Sequence, residues 1–287
     1  KQNTAIKEGF QTVIDYWPDS PQAIAAAYYI GRTQKEIGRT REAKVALKNV
    51  VAKHPAHLVG VYAIHDLIDM ATAENDTATK VELWKKLTFD IKRTRDSNGT
   101  CVQASQQLAT HSFREGAFDD GVKALATTYN AAQMPSHVVA YVRTPLSELI
   151  GQEASKAKAL KLADQAIAWL KTASPADQST PEAKTIARQV LFGIADLTAL
   201  AQRDDQVPAA YDAIVKAFNT DDEALSRLAA WYKSKMNYEK ARETYRRYAD
   251  KGEGLSLVGY SYREQQNWPL AVQTYTQLLG QDPERKV

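Results

Sequence analysis

Several residue types that signal special chemistry are scarce in this 287-residue chain. A single cysteine, Cys101, excludes an internal disulfide framework and a cysteine-rich zinc site. No run approaches the roughly 20 apolar residues that a membrane span requires, and the best run, 23–30, is short. A net charge of +3 argues against obligate nucleic-acid binding. The 13 glycines and 10 prolines are few, and apolar residues recur at helical rather than alternating spacing. We therefore expect an all-α protein with no strands and no direct membrane span.

The stretch 252–283 contains the clearest helical pattern. An apolar face is followed by Asn267, which can cap a second helix, and by Trp268 and Pro269, which suit its first turn. Asp282-Pro283 closes the second helix. The two apolar faces comprise Leu255, Val258, Gly259 and Tyr262, and then Ala271, Tyr275 and Leu278. Such a hairpin cannot bury its own apolar faces, so it needs neighbouring helices.

This stretch resembles the tetratricopeptide repeat family, whose units are about 34 residues long. The order of large, small and aromatic residues follows the family pattern through Leu255, Val258, Gly259, Tyr262, Trp268, Ala271, Tyr275, Leu278 and Pro283. The resemblance implies an α-α superhelix, right-handed, of about seven antiparallel helix pairs. It also implies a scaffold that binds protein or peptide partners without cofactors.

The pattern divides the chain into N-terminal repeats over 1–129, an irregular middle over 130–182 and C-terminal repeats over 183–287. Ser20 and Thr180 are predicted helix caps, and Gly38 is a predicted turn. Asn98-Gly99 is a turn signal. Thr144-Pro145 predicts a helix start, which makes 136–143 a short helix or a loop.

No constellation of catalytic or metal-ligating residues stands out in the sequence. His65 and Asp69 are four residues apart, but a zinc site needs three or four converging ligands. Cys101 has no glycine-rich elbow around it, and no serine has the surroundings of a hydrolase nucleophile. We therefore expect no metal, no cofactor and no enzyme activity, although an enzyme site in the irregular middle remains an alternative.

Basic residues cluster in two stretches of the chain. They form a solvated helix face or, alternatively, a docking patch for an acidic partner. The two clusters are Lys85, Lys86, Lys92, Arg93 and Arg95, and Lys233, Lys235, Lys240, Arg242, Arg246 and Arg247.

The family resemblance implies a partner-binding groove lined by the first helix of each pair. Tyr28 and Arg32 stand where members that hold a peptide's C-terminal carboxylate need lysine and asparagine, so that mode is not expected. The predicted groove suits an extended peptide or a partner helix. Its residues are Tyr28, Arg32, Lys35, Gln103, Gln106, Thr110, Arg227, Tyr260 and Arg263.

The preferred hypothesis is a non-catalytic interaction scaffold within a larger bacterial assembly. Residues 10–55 are similar to repeats of bacterial envelope proteins, which implies a periplasmic or outer-membrane-associated setting. The alternative is a repeat segment of a larger protein, such as an export component or an enzyme, because the pattern begins in the second half of a repeat at Lys1. Partner identity and oligomeric state are not specified by the sequence.

Overall fold

A computed structural model describes residues 1–55 and 57–281 of the chain. Within these ranges the regular secondary structure is entirely helical, which confirms the predicted all-α class. No helix in the same ranges is long and apolar enough to cross a membrane. The predicted close of the last repeat, Asp282-Pro283, lies outside the described residues.

The chain divides into two compact units, of which unit 1 comprises Lys1–Asn130 and unit 2 begins at Ala131. Whether 1–129, 130–182 and 183–287 are separate segments of the organisation stays a prediction.

Unit 1 opens with a helical stretch and continues with three helix pairs. The opening stretch is α1 (Gln2–Thr4), a π-helical segment (Ala5–Phe10) and α2 (Gln11–Tyr16). The pairs are α3 (Pro21–Glu36) with α4 (Thr40–Lys53), α5 (Leu58–Ala73) with α6 (Thr77–Lys85), and α7 (Asn98–Glu115) with α8 (Phe118–Ala126). A π-helical turn, Lys86–Asp90, extends α6.

Unit 2 contains four further helix pairs. They are α9 (Met134–Ile150) with α10 (Lys156–Ala173), α11 (Pro181–Leu200) with α12 (Val207–Phe218), α13 (Asp222–Ser234) with α14 (Tyr238–Tyr245), and α15 (Lys251–Glu264) with α16 (Trp268–Gln281). A 3-10 turn, Glu153–Ser155, precedes α10.

Each helix packs against its neighbours along the chain within its unit, which is the stacking of an α-solenoid. In addition, α3 packs on α5 in unit 1 and α9 packs on α11 in unit 2. We call the odd-numbered helices from α3 onward first helices and their partners second helices. In these two places the first helices of successive pairs are direct neighbours.

Local chemistry explains where several helices begin. The side chains of Ser20 and Thr180 accept hydrogen bonds from the backbone N–H groups of Ala23 and Ala183, both at 3.1 Å. Each precedes a proline in the first helical turn, where the missing N–H costs nothing. Gly38 has φ of +79° between α3 and α4, a conformation that favours glycine. These predicted boundaries are confirmed.

Small residues let paired helices approach closely. A Cβ added at Gly31 of α3 would lie 2.8 Å from Leu47 of α4, and one at Gly121 of α8 would lie 2.4 Å from the Phe113 ring of α7. Leu47 and Phe113 are completely buried. The small positions of the repeat pattern are thus the points where a first and a second helix meet.

Two local predictions are wrong. Asn98 and Gly99 form the first turn of α7, because the chain has already turned through the residues before Asn98. Pro145 lies inside α9, which runs without interruption from Met134 to Ile150. An internal proline costs about 3 kcal/mol of helix stability. Here Pro145 and Leu146 are buried, so packing offsets that cost.

Candidate functional site

The predicted groove residues of α3 form a surface together with α5, which we call the α3–α5 surface. Arg32 donates from Nη1 to the Tyr28 hydroxyl at 3.4 Å. Lys35 reaches across to α5, where its Nζ lies 2.7 Å from Asp66 Oδ1 and 3.1 Å from Asp69 Oδ2. The three predicted residues are thus brought together, and Lys35 connects two successive first helices.

Tyr28 is part of the core under this surface, since it is only 5% exposed. Its ring lies 6.2 Å from that of Tyr62, which is 45% exposed. Burial, with the carboxylate of Asp66, raises the pKa of Tyr28 to about 12. Burial works against the charge of Lys35, but Asp66 and Asp69 raise its pKa. The positive charge of Lys35 is therefore held in place by its two partners.

The predicted residues of α7 do not share one environment. Gln106 donates from Nε2 to the Tyr129 hydroxyl at 2.7 Å, and Thr110 donates to the backbone carbonyl of Gln106 at 2.9 Å. Gln103 is exposed and lines a cavity between α5, α6 and α7. Gln103 is thus available on the surface, whereas Gln106 and Thr110 are engaged by the fold.

In unit 2, Arg227 of α13 belongs to a cluster that the sequence reasoning missed. Its guanidinium lies 4.6 Å from the ring centroid of Phe192 on α11, and that of Arg188 lies 4.5 Å from the same centroid. Arg227 also contacts Asp196 at 3.0 Å and Glu223 at 2.7 Å. Two cations therefore flank one aromatic ring, and we call this arrangement the Arg–Phe–Arg cluster.

Asp196 connects three elements around the Arg–Phe–Arg cluster. It accepts hydrogen bonds from Arg227 at 3.0 Å, from the Tyr211 hydroxyl of α12 at 3.0 Å and from Arg143 of α9 at 3.4 Å. Burial is the main reason why the pKa of Tyr211 is raised, and the nearby charge of Asp196 adds to it. Asp196 thus fixes side chains from three other helices.

Arg188 is held by the residues that begin α13. It donates to both carboxylate oxygens of Asp221, at 2.6 and 3.0 Å, and to Glu223 at 2.7 Å. Asp221 also caps α13 through the backbone N–H of Ala224. The Arg188 guanidinium holds the pKa of Asp221 below its usual range. A two-point arginine–carboxylate contact fixes direction as well as distance.

The sequence did contain a signal for this cluster. Arg188, Phe192 and Asp196 are spaced by four residues, which places them on one stripe of α11. Glu223 and Arg227 have the same spacing on α13. Aligning two charged stripes on successive first helices would have pointed to these residues.

The predicted residues of α15 form a second cationic aromatic site in unit 2. Tyr260 is 43% exposed, in agreement with its predicted place off the apolar seam. The Arg263 guanidinium lies 4.7 Å and the Lys233 ammonium 5.7 Å from the Tyr260 ring centroid. Lys233 also contacts Glu264 at 2.5 Å. Tyr260 and Arg263 together offer an exposed, positively charged surface.

In the second basic cluster, Lys233, Lys235 and Arg247 are engaged in ion pairs on the surface. Lys235 contacts Asp204 and Arg247 contacts Asp212, both at 2.6 Å. In the part of the chain that the structure describes, no three histidine, cysteine or acidic side chains converge as a metal site would require.

Comparison with known proteins identifies repeats at both ends of the chain. The tetratricopeptide repeat profile matches residues 25–57 and 255–285. No curated protein matches the chain significantly.

Two solved structures are similar over most of their length. One is a tetratricopeptide repeat protein from Parabacteroides merdae, with 10% identity, 91% of both chains covered and a TM-score of 0.37. The other is the P58(IPK) tetratricopeptide repeat domain, with 14% identity, 98% of this chain and 89% of that chain covered, and a TM-score of 0.27. Because these TM-scores are low, the assignment of tetratricopeptide repeats rests on the two segments that match the repeat profile and not on the superposition of whole structures.

The matched segments comprise most of α3 and all of α4 in unit 1, and most of α15 and all of α16 in unit 2. Repeats of this kind are typically non-enzymatic scaffolds for protein interaction. The resemblance found in the sequence is confirmed: the chain carries tetratricopeptide repeats.

Proposed function

We propose that this protein is a non-catalytic scaffold that holds an extended peptide or a partner helix on its first-helix surfaces. The proposed contact residues are those of the predicted groove. Among them, Arg32, Gln103, Arg227, Tyr260 and Arg263 are exposed or partly exposed and offer the most surface to a partner.

The observation that carries this proposal is that side chains of successive first helices meet on one surface. Lys35 of α3 contacts Asp66 and Asp69 of α5. In unit 2, Arg143 of α9 and Arg227 of α13 both contact Asp196 of α11. A surface connected in this way presents several helices as one rigid contact area.

Rigid display supplies the mechanism. Ordering a long side chain on binding costs about 0.5–1.5 kcal/mol for each residue immobilised. Arg188 and Arg227 are already fixed against Phe192 and by their carboxylate partners. These side chains have already lost their conformational freedom on folding. A partner that binds beside them therefore does not have to order them.

A larger bacterial assembly is the proposed setting. The support is the similarity of residues 10–55 to repeats of bacterial envelope proteins. This part of the proposal concerns the cellular context and is independent of which first-helix surface makes the contact.

Affinity capture from native bacterial extract tests the proposal. The bait is the full chain, compared with a variant that carries Arg32→Ala, Arg227→Ala, Tyr260→Ala and Arg263→Ala. Tyr28 is left unchanged because it is buried, and its removal would disturb the fold. We expect the parent to enrich a partner that the variant loses, as measured by quantitative mass spectrometry.

A matched control changes two exposed charges on or at the end of second helices, Lys216→Ala and Arg246→Ala. Circular dichroism establishes that every bait is folded. A partner retained equally by the parent and the first-helix variant, but lost by the control, would contradict the proposal.

A further inference from the structure

A cavity of about 410 Å³ opens between α5, α6 and α7 in unit 1, and we call it the α6 pocket. Its size falls within the range of ligand-binding clefts. Side chains from all three helices line it. They are His65, Ile68, Asp69, Thr72, Lys80, Trp84, Leu87, Thr100, Gln103, Ala104, Gln107 and Arg114.

The floor of the α6 pocket is apolar. Ile68, Trp84 and Leu87 come from α5, α6 and the turn that extends α6. Trp84 is half-buried, and its ring lies 6.4 Å from that of His111 on α7. A fixed and partly exposed indole is a favourable surface for an aliphatic side chain.

Two amide side chains stand along the α7 wall of the pocket. Gln103 and Gln107 are exposed, and neither side chain makes a hydrogen bond within residues 1–55 and 57–281. They are one turn apart, about 6 Å along the helix. Every second residue of an extended peptide repeats at about 6.7 Å. A glutamine amide offers both a donor and an acceptor, so the two can pair with main-chain amides two residues apart in such a peptide.

The charge at the pocket is mainly positive. Lys80 has no ion pair among the residues that the structure describes, and Arg114 lines the same cavity. Asp69 also lines it but is engaged by Lys35 at 3.1 Å and lies 3.7 Å from His65. The site therefore favours an anionic group near Lys80.

The pKa of the neighbouring His111 is affected by the same positive charges. Burial lowers the pKa of His111, and the charge of Glu115 opposes this. Arg114, Lys80 and Lys85 lower the pKa further. Of these three cations, Lys80 and Arg114 line the α6 pocket, whereas Lys85 lies outside its lining and has the smallest effect on His111.

We propose that the α6 pocket binds an extended acidic peptide segment of a partner protein. An aliphatic side chain of the segment lies on Trp84, its main-chain amides pair with Gln103 and Gln107, and its carboxylate side chain lies at Lys80. This inference rests on the proposed scaffold function and adds the chemistry of the partner and the place where it binds.

Selection from a phage-displayed random dodecapeptide library on the full chain tests the inference. We expect the enriched peptides to combine aspartate or glutamate with an aliphatic residue. The best peptide is then synthesised with a fluorescent label, and its Kd is measured by anisotropy. Lys80→Glu should weaken binding about tenfold, the effect of losing one charge-assisted contact.

Lys85→Glu is the matched control, because it makes the same charge change on α6 at an exposed residue outside the pocket lining. We expect it to change Kd less than about twofold, since screened charges act weakly at a distance. A double variant, Gln103→Leu with Gln107→Leu, should weaken binding about tenfold. A peptide with its acidic residues changed to lysine should prefer the Lys80→Glu variant to the parent.

Equal effects of Lys80→Glu and Lys85→Glu, or enriched peptides without acidic residues, would overturn the inference and leave the scaffold function standing. A parent chain that enriches no peptide would overturn it as well. The capture experiment with the Arg227 and Tyr260 variant judges the scaffold function separately.

Discussion

The first-helix surfaces of the two units use charge in different ways. In unit 2, Arg188 and Arg227 flank Phe192, and the carboxylates of Asp196 and Asp221 hold them there. In unit 1, the side chains of Lys80 and of the two glutamines of the α6 pocket have no hydrogen-bonding partner among residues 1–55 and 57–281.

The paired charges of unit 2 stabilise the fold, whereas the unpaired side chains of the α6 pocket are available to bind a ligand. A charge already paired across helices must lose or share its partner before it can bind a ligand, and a broken, partly buried pair is costly. An unpaired side chain at an open pocket gives up only its hydrogen bonds to water when it binds a ligand. We therefore expect changes in the Arg–Phe–Arg cluster to alter stability as well as binding at that surface, and changes in the α6 pocket to alter binding alone.

The largest stability effect is expected from overpacking unit 1. In Gly121→Ala the new Cβ would lie 2.4 Å from the completely buried Phe113 ring, so the ring or the helices must shift. We expect the free energy of unfolding of unit 1 to fall by about 3 kcal/mol. Urea denaturation measures it, and Gly99→Ala is the control because its Cβ would meet nothing within 4 Å. Equal midpoints for the two variants would contradict the packing argument.

The next largest effect should come from Asp196→Ala in unit 2. This change leaves Arg143, Arg227 and the Tyr211 hydroxyl without a shared acceptor. We expect a loss of about 2 kcal/mol in the free energy of unfolding. Tyr211→Phe removes only one of these bonds and should cost about 1 kcal/mol. An Asp196→Ala variant as stable as Tyr211→Phe would show that the arginine contacts contribute nothing.

A smaller effect should appear in acid. The Arg188 guanidinium lowers the pKa of Asp221 in the folded state, so their contact stabilises unit 2 above the unfolded value of 3.8. That stabilisation is lost as the pH falls through the lowered folded value. Arg188→Gln should cost about 1 kcal/mol at pH 6 and progressively less toward pH 2. Urea midpoints across this range measure the difference, and a pH-independent difference would refute the ion-pair explanation.

The smallest effect is expected from Tyr28→Phe at the α3–α5 surface. Tyr28→Phe removes a hydroxyl that contacts Arg32 at 3.4 Å but keeps the buried ring. We expect a loss below about 1 kcal/mol in thermal or urea unfolding. Tyr28→Ala, which also removes the ring, should cost about 3 kcal/mol. A Tyr28→Phe loss as large as that of Tyr28→Ala would mean that the hydroxyl, and not the ring, stabilises this surface.

Much of the fold follows from local patterns in the sequence. The caps at Ser20 and Thr180 and the turn at Gly38 depend on residues within a few positions, so they could be predicted. Pro145 could not, because its helix persists through burial against other helices. Local rules assign that proline to a helix start, and tertiary packing overrides them.

Some features of the candidate sites could likewise be predicted from the sequence, and others could not. Sequence alone indicated the repeat family, the helix pairs and the exposure of Tyr260, because heptad-like spacing and small residues specify which face is buried. Only the tertiary structure placed Arg227 of α13 on Phe192 of α11 and opened a pocket over Trp84. The spacing of four residues on α11 places Arg188 beside Phe192, but the contact of Arg227 with that ring and the pocket over Trp84 join different helices, so they depend on how the helices pack.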